Sequence, residues 1–113
     1  MDQSFKKSLA TLFNETNKEI FHVGVHEQKI EIVGNKILIL ARTQRIPALD
    51  ALGDEHSGLV LALDAALSSR YKTLLKEKLE DMFDLKITSL FRDYDPNKGI
   101  SCTVICLENQ ITK

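Results

Sequence analysis

The sequence predicts an α+β fold, in which helices cover one face of a four-stranded antiparallel sheet in the order α-β-β-α-β-β. Residues 3–21 and 57–83 carry apolar side chains at helical spacing. Residues 25–42 and 85–107 each indicate two strands joined by a short polar turn. Two strand pairs of this kind form hairpins, and amphipathic helices bury their apolar sides on such a sheet.

The first predicted helix has one apolar side. Phe5, Leu9, Phe13 and Ile20 fall close to one face of residues 3–21, and the lysines and acids fall mostly on other faces. Apolar residues at this spacing are typical of core packing.

The first predicted hairpin joins strands at 25–33 and 36–42 through Gly34 and Asn35, which suit a tight two-residue turn. The first strand alternates polar and apolar residues, as a strand with one solvated face does. The second strand is apolar on both faces, so it is either central in the sheet or covered by a partner chain. Leu38 and Leu40 are therefore candidate interface residues.

The long helix predicted over 57–83 changes character along its length. Its first half is apolar almost all round, interrupted by Asp64, and its second half is amphipathic. A helix that is apolar on every side needs cover on every side, which a second subunit would supply. The candidate interface residues here are Leu59, Leu61, Leu63 and Arg70, the last as an ion-pair partner within the helix or across a dimer.

The last two strands are predicted at about 85–93 and 100–107, around a polar turn. Strand periodicity predicts that alternate residues share a face. In the third strand these are Leu85, Ile87, Ser89 and Phe91. In the fourth they are Ile100, Cys102, Val104 and Cys106, and we expect this apolar face to be the buried one.

Composition excludes several classes of protein. The chain has 113 residues, 15 basic and 16 acidic side chains, and a formal charge of −1. This length predicts a single domain, residues 1–113. The absence of a basic excess argues against a nucleic-acid-binding protein.

The two cysteines and the lack of long apolar segments point to one compartment. Cys102 and Cys106 lie four residues apart on one predicted strand, too far apart for a disulfide at about 3.3 Å per residue. Met1–Lys7 lacks the apolar segment of a signal peptide, and no apolar run approaches the length of a membrane span. We therefore expect a cytoplasmic protein that does not itself span a membrane.

One polar cluster follows the first hairpin and precedes the long helix. Such groups could bind a small ligand or a cation, or they could cap and stabilise the start of the long helix. Capping is the preferred interpretation. The residues of this candidate ligand cluster are Pro47, Asp50, Asp54, Glu55 and His56.

Other polar groups do not complete a chemical motif. His22 and His26 have helical spacing, but they fall where a helix gives way to a strand, with at most Glu27 nearby as a further metal ligand. A calcium loop counted from Asp93 fails at its sixth and twelfth positions. We therefore expect no catalytic residues, no metal ligands and no cofactor.

The landmarks of the chain resemble a bacterial family, the Na-translocating system MpsC family of small domains of unknown function. The resemblance covers roughly residues 22–108. It rests on the hairpin 29–40, Pro47, Arg70 and the passage from helix to strand at 79–87. It implies an accessory role, with no established enzymatic activity, beside membrane ion or inorganic-carbon transport systems.

The chain departs from the family pattern at two positions of its Leu-Thr-Pro-x-Glu element. Ile46 stands in place of the threonine and Leu49 in place of the glutamate. If those two residues carry the family's function, this chain has altered it.

These observations predict a non-catalytic accessory or regulatory interaction module that forms a homodimer. The resemblance adds a protein partner at a membrane complex. The alternative prediction is a small-ligand or metal-binding sensor that uses the cluster at 47–56.

Overall fold

The computed structural model describes residues 3–43, 49, 51–95 and 98–109. Among these residues, two long helices and four strands follow one another in the predicted order. A 3-10 turn at Asp54–His56 leads directly into the second helix. The elements are α1 (Gln3–Phe21), β1 (Val25–Val33), β2 (Lys36–Thr43), α2 (Ser57–Phe83), β3 (Ile87–Asp95) and β4 (Ile100–Leu107).

The four strands form one antiparallel sheet in the order β1-β2-β4-β3, with the helices on one face, so the predicted α+β fold is confirmed. Leu38 on β2 lies opposite Glu31 on β1 and Val104 on β4. β2 is thus an interior strand with a hydrogen-bonded neighbour on each side, which is one of the two predicted reasons for its apolar character.

The core lies between the sheet and the two helices. β2 contributes Ile37 and Ile39, both fully buried, and β4 contributes Ile105. The helices contribute their own apolar stripes, which are Leu9, Leu12 and Phe13 from α1 and Tyr71, Leu75 and Leu79 from α2.

The two polar residues buried in α1 are satisfied within the helix. The Thr16 hydroxyl donates to the Leu12 carbonyl at 2.8 Å, and the Asn17 amide donates to the Phe13 carbonyl at 2.8 Å. Both buried donors therefore have a backbone carbonyl as their hydrogen-bond partner.

The turn between β1 and β2 follows the prediction. Gly34 has φ 62°, a left-handed conformation that glycine adopts without steric cost. The Asn35 side-chain amide donates to the Leu107 carbonyl at 2.9 Å, which ties the turn to the end of β4.

β3 begins two residues later than predicted, and its faces differ from the prediction. The register shifts between Ile87 and Ser89, as in a β-bulge. Ile87 is consequently buried in the core, whereas Ser89 and Phe91 lie on the opposite face. The predicted common face for these three residues is wrong, because the inserted residue reverses the alternation.

The polar turn after β3 is closed by its own hydrogen bonds. The Gly99 amide donates to the Asp95 carbonyl at 2.8 Å, and the Lys98 amide donates to the Asp95 carboxylate at 3.3 Å. The Asp95 carboxylate therefore accepts a hydrogen bond within the turn.

Across the described ranges, neither helix has both the length and the apolar character needed to cross a membrane.

Candidate functional site

One face of the sheet lies away from both helices, and we call it the open face. Because side chains alternate along a strand, the buried Ile37 and Ile39 place Leu38 and Leu40 on the other side of β2. The register sets Val104 of β4 beside Leu38 and Cys102 beside Leu40. The centre of the open face is therefore formed by Leu38, Leu40, Phe91, Cys102, Val104 and Cys106.

The open face carries a contiguous patch of apolar side chains rather than single, scattered ones. Phe91 is 59% exposed and Leu40 is 43% exposed, and they stand on strands that flank β4 on its two sides. Leu38 and Val104 are half-buried by their neighbours in the sheet. Within the part of the chain that the structure describes, no helix covers these side chains. Contiguous apolar surface of this kind marks an interaction site.

Charged side chains line the two edges of the open face. On the β1 edge, the Lys29 ammonium lies 3.2 Å from the Glu31 carboxylate. Near one end of the strands, the Arg42 guanidinium lies 4.0 Å from the Glu27 carboxylate. On the β3 edge, Asp93 pairs in register with Cys102. An apolar centre with a polar rim is the anatomy of a protein–protein interface.

Both cysteines lie on the open face, which corrects the predicted burial of that side of β4. Cys102 and Cys106 are free thiols and only half-buried. The core side of β4 instead consists of Ser101, Thr103, Ile105 and Leu107. On this buried side, the Thr103 hydroxyl is hydrogen-bonded to the Tyr71 hydroxyl.

The first half of α2 forms a second apolar surface. Leu61 is 72% exposed, and Leu59 and Leu63 are also exposed. Among residues 57–70, all of them described, Val60 alone is buried. Arg70 is exposed on the same half of the helix. Because α2 packs on the core side of the sheet, this surface and the open face belong to opposite layers of the molecule.

The predicted ligand cluster is only partly described. Pro47 and Asp50 lie outside the described residues. Asp54, Glu55 and His56 are exposed and form the 3-10 turn before α2. All three are adjacent in sequence and exposed at the surface, and Asp54 also lines an open cavity of about 270 Å³ beside the start of α2.

Among the described members of this cluster, no side chain makes the predicted capping hydrogen bond to α2, although Asp54 and Glu55 do lie in the turn that leads into it. His56 occupies the N-cap position of α2, and its side chain makes no capping hydrogen bond in the described structure. The acids lie in the preceding 3-10 turn, where the His56 amide donates to the Gly53 carbonyl at 3.3 Å. Backbone bonding in this turn leads the chain into α2 without a capping side chain.

The two histidines lie on either side of the junction between α1 and β1. His22 is exposed with φ 61°, and its amide donates to the Lys18 carbonyl at 2.9 Å as α1 ends. His26 is exposed on β1. Over the described ranges, no three His, Cys, Asp or Glu side chains are grouped to hold a metal ion.

Arg92 is the polar residue that sequence analysis did not single out. It lies on the core side of β3, and its guanidinium carbon is 4.6 Å from the centre of the Phe21 ring and 5.2 Å from that of Tyr71. The Tyr94 ring centre is 5.6 Å away. The guanidinium also donates to the Ser68 hydroxyl on α2. The sequence feature that could have identified it is the strand alternation, which places Arg92 on the same face of β3 as Leu90 and Tyr94.

Burial lowers the pKa of Arg92, and the nearby Tyr71 and Asp64 oppose that effect. The guanidinium remains protonated because its normal pKa is so high. Arg92 borders a cavity of about 380 Å³ between α2, the end of α1 and the sheet. The cavity is on the core side of the sheet and shares Asp93, at the β3 edge, with the rim of the open face.

Comparison of the chain with protein-family models, with curated proteins and with solved structures finds no match. The function must therefore be argued from the surfaces described above.

Proposed function

We propose that this chain is a non-catalytic interaction module that forms a homodimer by packing the open faces of two copies against each other. The observation that carries this proposal is the apolar centre of the open face, with Phe91 and Leu40 largely exposed and no described helix over them. Helices cover one face of this sheet. Because the other face is also apolar, it needs a second layer to cover it.

The occupant that best fits the open face is a second copy of the sheet. A twofold axis parallel to the strands, between β2 and β4, places β2 of one copy over β4 of the other. Leu38 and Leu40 then face the partner's Val104 and Cys102, so apolar groups meet apolar groups. Packed sheets in such an arrangement lie about 10 Å apart with strands aligned to within about 30°.

The charged edges also fit this arrangement. The same twofold axis brings the β1 edge of one copy over the β3 edge of the other. Lys29 then faces the partner's Asp93. Its ion pair with Glu31 is highly exposed, and such pairs contribute little, so the lysine can change partner at small cost.

The size of the face predicts a dimer of moderate strength. Four strands of this length present on the order of 500 Å² per copy, or about 1,000 Å² for the pair, from strand spacing and rise. This is near the lower limit for specific interfaces, so we expect a dissociation constant in the micromolar range.

The proposed dimer is cytoplasmic and has an accessory or regulatory role. Two free, half-buried thiols on the open face are compatible with a reducing compartment. The resemblance to the Na-translocating system MpsC family supports a protein partner at a membrane ion or inorganic-carbon transport complex. The exposed first half of α2 is a second surface, on the opposite layer, at which such a partner could bind.

The native cysteines offer a direct test of the dimer. At concentrations well below the dissociation constant, Cys102 and Cys106 should react with a thiol reagent at the rate of half-buried groups. At about 100 μM the dimer covers them, so labelling should slow several-fold while sedimentation velocity reports the dimer. The urea-unfolded chain calibrates full reactivity. The proposal would be refuted if the labelling rate were the same at all concentrations and the chain sedimented as a monomer throughout.

A further inference from the structure

The cavity beside Arg92 has the size and position of a small-molecule site. Its volume of about 380 Å³ falls within the range of ligand pockets. It opens between α2, the end of α1 and the inner side of β3, and Asp93 at the β3 edge belongs both to its lining and to the rim of the open face.

The Arg92 guanidinium lies among three aromatic rings. Phe21, Tyr71 and Tyr94 lie within 6 Å of the guanidinium and restrict its position. A guanidinium has five N–H donors. Among the described residues, the Ser68 hydroxyl is the one side-chain acceptor hydrogen-bonded to it. A largely buried guanidinium with one hydrogen-bonded side-chain acceptor among the described residues can donate further hydrogen bonds to an anionic ligand.

The charges around the cavity limit the kind of anion. Arg92 and Lys72 line it, but so do Asp64 and Asp93. These carboxylates disfavour a dianion such as a phosphate more than a monoanion, because repulsion grows with charge. The planar guanidinium matches the two oxygens of a carboxylate.

The rest of the lining is largely apolar. It includes five aliphatic side chains from three parts of the chain, which are Val23, Leu49 and, from α2, Leu61, Ala65 and Leu67. These groups would surround a hydrocarbon body once the carboxylate is bound to Arg92. We infer that the cavity binds a small monocarboxylic acid with an apolar body, with Arg92 as the carboxylate-binding residue.

The probes are hexanoate, the neutral hexanamide and inorganic phosphate, titrated into the ¹⁵N-labelled full chain and followed by NMR. Hexanoate should shift the Arg92 side-chain N–H signal and saturate with a dissociation constant on the order of 1 mM. Hexanamide should bind at least about tenfold more weakly, because the charge-assisted hydrogen bonds are lost. Phosphate should not compete with hexanoate.

Two variants locate the site. Arg92→Lys keeps the charge but loses the planar donor pair, and should weaken hexanoate binding at least about tenfold. Ala65→Phe fills the cavity from α2 while Arg92 is unchanged, and should weaken hexanoate binding similarly. If Arg92→Lys does not fold, the Ala65→Phe variant and the comparison of hexanoate with hexanamide still test the inference. Equal affinity for hexanoate and hexanamide, competition by phosphate, or undiminished binding by folded Ala65→Phe would overturn the inference.

Discussion

The hydroxyl groups of Tyr71 and Thr103 lie 3.3 Å apart in the core, where they form a hydrogen bond between α2 and β4. Both residues are fully buried. This contact pairs the Thr103 hydroxyl on the side of β4 that faces the helices, while Cys102 and Val104 lie on the other side. The open face, and with it the proposed dimer, depends on that choice of faces.

Burial raises the pKa of Tyr71, so its phenol stays protonated in the folded chain at a pH where the unfolded chain has lost the proton. Because the unfolded state then binds fewer protons, stability must fall as the pH rises above the unfolded pKa of about 10. We expect a loss from this residue of up to about 1.4 kcal/mol per pH unit above that point. Urea unfolding at pH 9, 10 and 11, at one protein concentration, measures it. Tyr71→Phe should show a shallower decline, and an identical decline would contradict the assignment.

Thr103→Val should destabilise the fold although valine is apolar and nearly the same size. The substitution removes one partner of the Tyr71 hydroxyl in a buried site, which costs about 1 to 2 kcal/mol. Thr88→Val on β3 is the matched control. Thr88 is exposed, so its substitution should change the free energy of unfolding by less than about 0.5 kcal/mol. Equal effects in urea unfolding would show that the buried hydrogen bond is unimportant.

Asp84 ends α2 in a left-handed conformation, with φ 53°, and its amide donates to the Glu80 carbonyl at 3.1 Å. Glycine adopts this conformation without a Cβ penalty, so Asp84→Gly should stabilise the protein by about 0.5 kcal/mol. Asp81→Gly, the same change inside the last turn of α2, should destabilise it by a similar amount. Thermal unfolding of both variants measures the signs, and the same sign for both would contradict this account of the helix end.

The order of elements could be predicted because periodicity along this chain is strong. The Phe5–Leu9–Phe13 stripe, the Gly34-Asn35 turn and the apolar β2 each indicated one local structure, and tertiary packing agreed with it. Which face of β4 is buried could not be predicted. Its Cys102–Val104–Cys106 face is the more apolar one, and the partner of the buried Thr103 hydroxyl is Tyr71, 32 residues away on α2.

The candidate sites were predictable to different degrees. Leu40 and Leu61 were recognised as apolar residues in need of cover, and both are exposed. Their location on opposite layers required the sheet and helices to be assembled. Arg92 was missed because its aromatic neighbours Phe21 and Tyr71 come from both helices, and no local motif brings three such segments together.

The proposed dimer predicts a charge-reversal pattern. Lys29 and Asp93 lie at the same level on opposite edges, since the register runs from Lys29 through Leu40 and Cys102 to Asp93. Lys29→Glu or Asp93→Lys alone should raise the dimer dissociation constant about fivefold, and the double variant should restore it. Lys76→Glu and Asp81→Lys on α2 serve as matched controls of net charge. Additive weakening in the double variant, measured by sedimentation, would contradict the proposed twofold arrangement.

The most direct test of the open face as the dimer contact compares two leucine-to-glutamate variants by sedimentation velocity at about 100 μM, where a micromolar dimer is well populated. Leu40→Glu places a charge at the centre of the open face, and Leu61→Glu places the same charge on the exposed first half of α2. Circular dichroism confirms that each is folded. We predict that the unmodified chain and Leu61→Glu sediment as dimers and that Leu40→Glu sediments as a monomer. A folded Leu40→Glu dimer, or a monomer produced only by Leu61→Glu, would contradict the account.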